Sequence, residues 1–211
     1  MSSIFRGPVY RHIPDKNFAD KFVTGESIWV STFQACRNYE DAEKGDAGEG
    51  TMLHRIGDIS SDDAGFQSVA DNLGIVNRAG RISIKNGNGF YRAHDAYVVC
   101  FSHRVFGDDL KQKFGRYAVR VADIDDFAFR LAIEMRKVVP VIRHGVGPVI
   151  YADRSYKDYE PPPGDLHFVK PTKPFKVQDE YRLVLICEPG HVYEPMSISV
   201  PLPTGLCTAV Y

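Results

Sequence analysis

Two short runs of alternating β-branched and aromatic residues, at 8–12 and 27–33, predict strands near the start of the chain. Residues 14–24 between them suit a short helix, which Gly25 would end. From 37 to 50 the pattern turns polar and acidic, and Gly45, Gly48 and Gly50 argue against a regular strand, so a functional or mobile loop is expected. Within residues 60–77 a short helix is predicted over 65–73. Asn86-Gly87-Asn88-Gly89 predicts a turn or loop.

The stretch 96–102, Ala-Tyr-Val-Val-Cys-Phe-Ser, is almost continuously apolar, as a central strand covered on both faces should be. Residues 116–121 alternate in strand fashion. Asp123 then stands where it can cap a helix whose Phe127, Leu131 and Met135 recur every four positions, with Pro140 beyond its end. A strand is predicted at 146–152, and Pro161-Pro162-Pro163-Gly164 predicts a rigid loop leading to Lys170-Pro171-Thr172-Lys173-Pro174. Further strands are expected at 181–187, 196–200 and 206–210. Many short strands, few helices and no regular alternation of the two predict one α+β domain over 1–211 with mainly antiparallel sheets.

Composition adds exclusions rather than a direction. The 211 residues are 44% hydrophobic and 25% charged, and 26 basic against 27 acidic residues leave a formal charge of -1. That balance gives no bulk attraction to nucleic acid or anionic lipid, although a local basic groove stays open. Cys36, Cys100, Cys187 and Cys207 are dispersed without ligand spacing, which reads as reduced core thiols rather than a zinc site or disulfide framework. Residues 1–8 lack a secretory pattern, and no apolar run approaches the roughly 20 residues that span a bilayer, so a cytoplasmic protein without a membrane segment is expected. Neither common phosphate-cradling loop occurs, nor a GxSxG elbow, and the histidines show no metal-ligand spacing.

The strongest chemical lead is Gln178-Asp179-Glu180, directly before the strand-like run Tyr181 to Cys187. On a strand, a spacing of two aims Gln178 and Glu180 at the same face. Early in the chain stand Arg11, within Tyr10-Arg11-His12, and Ser31-Thr32, within the second predicted strand. In this order, Arg11, Ser31-Thr32 and Gln178-x-Glu180 resemble the arginine, STS and Q/E-x-E signature of ADP-ribosyltransferase-like proteins, with Phe33 where the third hydroxyl would stand. The resemblance implies an α+β fold of two packed, mainly antiparallel β-sheets with peripheral helices. It also implies NAD as co-substrate and transfer of ADP-ribose to a macromolecular acceptor, protein or nucleic acid.

Under that resemblance Glu180 is the catalytic carboxylate, stabilising the positive charge that develops on the ribose as nicotinamide leaves. Arg11 would bind the pyrophosphate, Ser31 would orient Glu180 or the ribose, Thr32 would support its strand end, and Gln178 would contact the acceptor. The loop 168–177 could present Phe175 to an acceptor, with Lys170, Lys173 and Lys176 adding local attraction for phosphate. A second resemblance is to an uncharacterised bacterial domain family associated with phage-defence genes, through the stretch 29–43, Cys100-Phe101-Ser102 and Glu180-x-Arg182. Together the two point to a toxin or phage-defence effector.

Plainer readings stand beside these. Taken singly, Arg11 reads as a surface ion-pair partner, Ser31 and Thr32 as strand-edge hydroxyls, and Trp29 and Phe33 as core or cleft-wall residues. Glu40, Asp41, Glu43, Asp46 and Glu49 could serve a metal-dependent nuclease, but they lack a recognised ligand spacing and read first as a solvated loop, so no metal is expected. A noncatalytic nucleotide or nucleic-acid binding module on the same fold is the other alternative.

Overall fold

A computed structural model describes residues 7–39, 45–76 and 80–211. The chain runs β1 (Val9–Ile13), α1 (Lys16–Thr24), β2 (Ile28–Thr32), α2 (Phe33–Arg37), β3 (Thr51–Ser60), α3 (Phe66–Asn72), β4 (Ser83–Arg92) and β5 (Tyr97–Ser102). It continues through α4 (Asp108–Phe114), β6 (Tyr117–Val121), α5 (Ile124–Arg136), β7 (Val141–Pro148), β8 (Ile150–Tyr151), β9 (Ser155–Lys157) and β10 (Val169–Lys170). The last elements are α6 (Thr172–Phe175), β11 (Glu180–Cys187), β12 (Met196–Ile198) and β13 (Cys207–Ala209). Glu40, Asp41 and Glu43, three of the acidic positions considered for a metal, lie outside the described residues.

Local chemistry explains the two longer helices. Asp15 accepts the amide protons of Asn17 and Phe18 at the start of α1, and Gly25, at φ 74°, closes it by donating to the Phe22 carbonyl. Asp123 caps α5 in the same way, accepting from Asp125 and Asp126 at 3.0 Å each. The inner face of α5 buries Phe127, Leu131 and Met135 against the sheet, and Phe127 meets the rings of Phe22 and Phe101. Each of those side chains contributes roughly 1.5–3 kcal/mol by leaving water.

The described residues form a mixed α+β, mostly antiparallel structure. An eight-stranded sheet is ordered β12-β2-β5-β1-β6-β13, with β11 paired to the other edge of β5 and β7 outside β11. Two smaller sheets join it: β4-β3-β9 and the pair β10-β8, in which β3–β9 and β8–β10 are parallel. Three sheets therefore stand where two were expected. No described helix is long and apolar enough to cross a membrane.

Several sequence expectations need correction. Asn86 to Gly89 is part of a ten-residue strand paired along β3, not a turn. Asn86 does adopt a left-handed φ of 51°, which asparagine tolerates, but opposite Gly57, whose amide donates instead to Asp158 Oδ1 at 2.7 Å. Gly89 lets the end of α3 approach, since a Cβ there would sit 3.0 Å from Leu73 Cδ2. β3 itself escaped notice because its inward face includes His54 among Met52 and Ile56, which blurs the apolar alternation. The strand expected at 146–152 is two elements, β7 from Val141 and β8. Trp29, expected in the core or a cleft wall, is 53% exposed, because the inward face of β2 belongs to Ile28, Val30 and Thr32.

Candidate functional site

β5 is where the large sheet divides. On one edge it pairs continuously with β11, from Ser102 opposite Glu180 to Tyr97 opposite Leu185. On the other edge it holds β2 only at Tyr97 and Val98 and β1 only at Ser102. Between those two pairings the Cys100 carbonyl accepts from Arg11 Nη1. A cleft of about 110 Å³ opens at this split, lined by Arg11, Phe33, Gln178, Glu180 and Arg182 among others.

Its floor is a buried four-charge network. Glu180 and Arg182 stand two apart on β11, Lys170 ends β10, and Glu49 lies in the turn before β3; all four are at most 4% exposed. Arg182 Nε donates to Glu180 Oε1 at 2.6 Å, and Lys170 Nζ to Glu180 Oε2 at 2.7 Å. Arg182 also grips Glu49 bidentately, at 2.9 and 3.0 Å, and donates to the His167 carbonyl at 2.7 Å. Arg154 holds Asp46 in a second ion pair and so fixes the turn that carries Glu49, whose amide donates to the Asp46 carbonyl. Two cations and two anions leave the network formally neutral, which is what allows charges to remain this far from water.

Burial alone would raise the Glu180 pKa, but the charges of Arg182 and Lys170 and their hydrogen bonds outweigh it and hold the carboxyl well below the usual carboxylate range. Burial opposes the charged forms of Arg182 and Lys170 as well, and the carboxylates beside them raise both. Glu180 is therefore ionised at neutral pH. The cleft thiols behave oppositely: burial, then Glu49, raises Cys36, and burial, then Glu180, raises Cys100 well above its ordinary value. Both are protonated at neutral pH and poor nucleophiles.

One wall depends on His12. Its ring stacks on Phe106 with centroids 4.1 Å apart, and its Nε2 accepts the Phe106 amide proton at 3.2 Å. Nδ1 must then carry the proton, which it donates to the Gly115 carbonyl at 3.2 Å. Burial lowers the His12 pKa, so the neutral ring is the form this wall requires.

No family model, curated protein or solved structure matches the chain. Arg11, Gln178 and Glu180 line one cleft. Gln178 arrives there differently from expectation: it sits in a single 3-10 turn, Asp179 follows at φ 46°, and the strand starts only at Glu180. Lys170 Nζ reaches both, with Gln178 Oε1 at 3.4 Å.

Ser31 does not line the cleft. It lies behind it, with Oγ 4.0 Å from the sulfur of Cys36, which does. Thr32 is buried and caps α2, accepting from the Ala35 amide at 3.1 Å. Phe175 is also buried and outside the cleft lining, with its ring 4.9 Å from Lys170 Nζ. Lys173 and Lys176 are exposed, whereas Lys170 is a member of the network rather than a solvated loop residue.

Sequence reasoning missed the partners of Glu180. Asp46 and Glu49, expected in a solvated loop, are both buried and bound to arginines. A signal existed for Arg182: a cation in an otherwise apolar run, between Tyr181 and Leu183, must bring a counter-charge inside with it.

Proposed function

We propose that the cleft binds the reacting end of NAD and that the protein is an ADP-ribosyltransferase, with Glu180 as its catalytic carboxylate. The observation that carries this reading is the convergence of Arg11, from the first strand, with the neighbouring pair Gln178 and Glu180 on the split in the sheet. At about 110 Å³ the cleft is smaller than the roughly 300–1,000 Å³ of pockets that bury a whole drug-sized ligand. It suits a ring and part of a ribose, with the rest of the dinucleotide outside and its pyrophosphate toward the Arg11 guanidinium.

The chemistry follows from the donors and acceptors. An ionised carboxylate has about four lone-pair sites, and Arg182 and Lys170 use two of them on Glu180. The others can accept from ribose hydroxyls. As the bond from ribose C1′ to the pyridinium nitrogen breaks, its electron pair leaves with neutral nicotinamide and positive charge grows on the ribose. Glu180 is placed to stabilise that charge more in the transition state than in the ground state. The acceptor nucleophile then bonds to C1′ and loses its proton.

A second reading has its own observation. Both Glu180 oxygens already hold a cation, which weakens the field that carboxylate can offer a developing positive charge. On this reading the chain binds a nucleotide and breaks no bond. Release of nicotinamide from NAD separates the two. The transferase reading expects release by the wild type and a fall of about 100-fold or more in Glu180→Gln. NAD binding without release in the wild type would leave the binding module.

A further inference from the structure

A second, larger hollow lies apart from Glu180, in the seam between the β4-β3-β9 sheet and the outer edge of the main sheet. Its volume is about 470 Å³, within the roughly 300–1,000 Å³ typical of small-molecule sites. Met52 and Tyr156 from the smaller sheet and Leu166 give it an apolar floor. Tyr91 puts a hydroxyl there, donating to the Asn72 carbonyl, and Tyr156 adds a second phenol to the lining. The rim carries Arg92, at the end of β4, and Arg143, opposite Ile186 at the outer edge of β11.

The charges here are disposed unevenly. Asp95 Oδ1 already accepts from the amides of Gln34 and Ala96, at 3.0 and 2.9 Å. Asp165 Oδ1 accepts from the His167 amide and from its ring Nδ1, at 2.9 and 2.8 Å. Both carboxylates are thus turned to local donors. The arginines are less engaged: both are exposed, neither forms an ion pair within 4.0 Å among the described residues, Arg143 attracts Asp165 only from a longer distance, and Arg92 makes a long contact of 3.4 Å to Gln34 Oε1. Open guanidinium forks above an apolar floor with phenolic hydroxyls suit a ligand that is aromatic at one end and a phosphate at the other.

We propose that this cavity is a binding site for a purine mononucleotide, with the base on the Met52, Tyr156 and Leu166 floor and the phosphate on Arg92 and Arg143. The site is independent of the NAD reading, since none of its lining residues lines the cleft at Glu180. AMP, adenosine and inorganic phosphate are the probes, titrated calorimetrically into the full chain.

The expected result is saturable AMP binding with a Kd below about 1 mM. The Arg92→Ala, Arg143→Ala double variant should weaken it by about tenfold or more, and Arg11→Ala should leave the affinity within about twofold. Adenosine and inorganic phosphate should each bind at least about tenfold more weakly than AMP. Because both arginines are exposed, an unchanged melting temperature certifies the double variant as folded. The proposal is overturned if the wild type does not bind AMP, or if Arg11→Ala rather than the double variant removes binding, which would put AMP in the Glu180 cleft. Adenosine or phosphate binding as tightly as AMP overturns it too.

Discussion

At the split in the main sheet Arg182 has its donors engaged by Glu180, Glu49 and a backbone carbonyl, whereas in the seam Arg92 and Arg143 stand exposed with no carboxylate within 4.0 Å among the described residues. The two hollows draw on similar residue types. What differs is dehydration. A guanidinium 2% exposed can be kept only if anions enter with it, so the cleft spends its charge on itself and fixes its carboxylate. A guanidinium still in water needs no such partner and stays available to a ligand. A buried charge therefore reports on architecture first, and an open one on binding first.

The sharpest way to break this contrast is to remove the hub. Arg182→Met leaves Glu49 and Glu180 sharing Lys170, with Arg154 3.9 Å from Glu49 as the other cation, and should cost about 3–5 kcal/mol in urea unfolding. A loss below about 1 kcal/mol would mean that the network is solvated like a surface pair.

Acid should find the same region. Glu180 has a depressed folded pKa, so the unfolded chain takes up its proton first. The stability it contributes is complete above about its ordinary 4.5 and is lost as pH falls below that. His12 has the same sign for a different reason: burial lowers its pKa, so charging the unfolded chain below about 6.5 favours unfolding. A pH series of urea midpoints should show a shallow decline below 6.5 and a steeper one below 4.5. A flat profile across both ranges would contradict the assignment.

A smaller loss, about 1 kcal/mol, is expected from Tyr151→Phe, which removes the hydroxyl that accepts the Glu180 amide proton at 2.7 Å. The seam should respond least. Arg92→Ala with Arg143→Ala should change unfolding free energy by no more than about 0.5 kcal/mol while weakening AMP, and a larger stability loss would show those arginines to be structural.

How far this was legible in the sequence varied with the range of the interaction. The cap at Asp123, the stop at Gly25 and the buried strand through Val98 and Val99 depend on neighbours a few residues away, and the local pattern exposed them. β3 and β4 did not show, because a buried His54 and a run of Asn and Gly imitate polar loop chemistry until the partner strand is known. At the site, Arg11, Gln178 and Glu180 were named beforehand, but the network was not. Glu49 and Arg182 are 133 positions apart, and only the fold makes the acid of one turn the counter-ion of a strand.

Under the proposed transfer reaction Glu180 has two roles, one in holding the floor together and one in the chemistry, and a charge-balanced variant can pull them apart. Glu180→Gln alone leaves an excess buried cation; adding Lys170→Met removes one and restores neutrality, so part of the lost stability should return. The decisive measurement is nicotinamide release from NAD by that folded double variant beside the wild type. Release by the wild type is expected, with about 100-fold or more slower release by the double variant despite its recovered stability. Release that returns together with stability would contradict the role in the chemistry, leaving Glu180 a structural ion and nothing more.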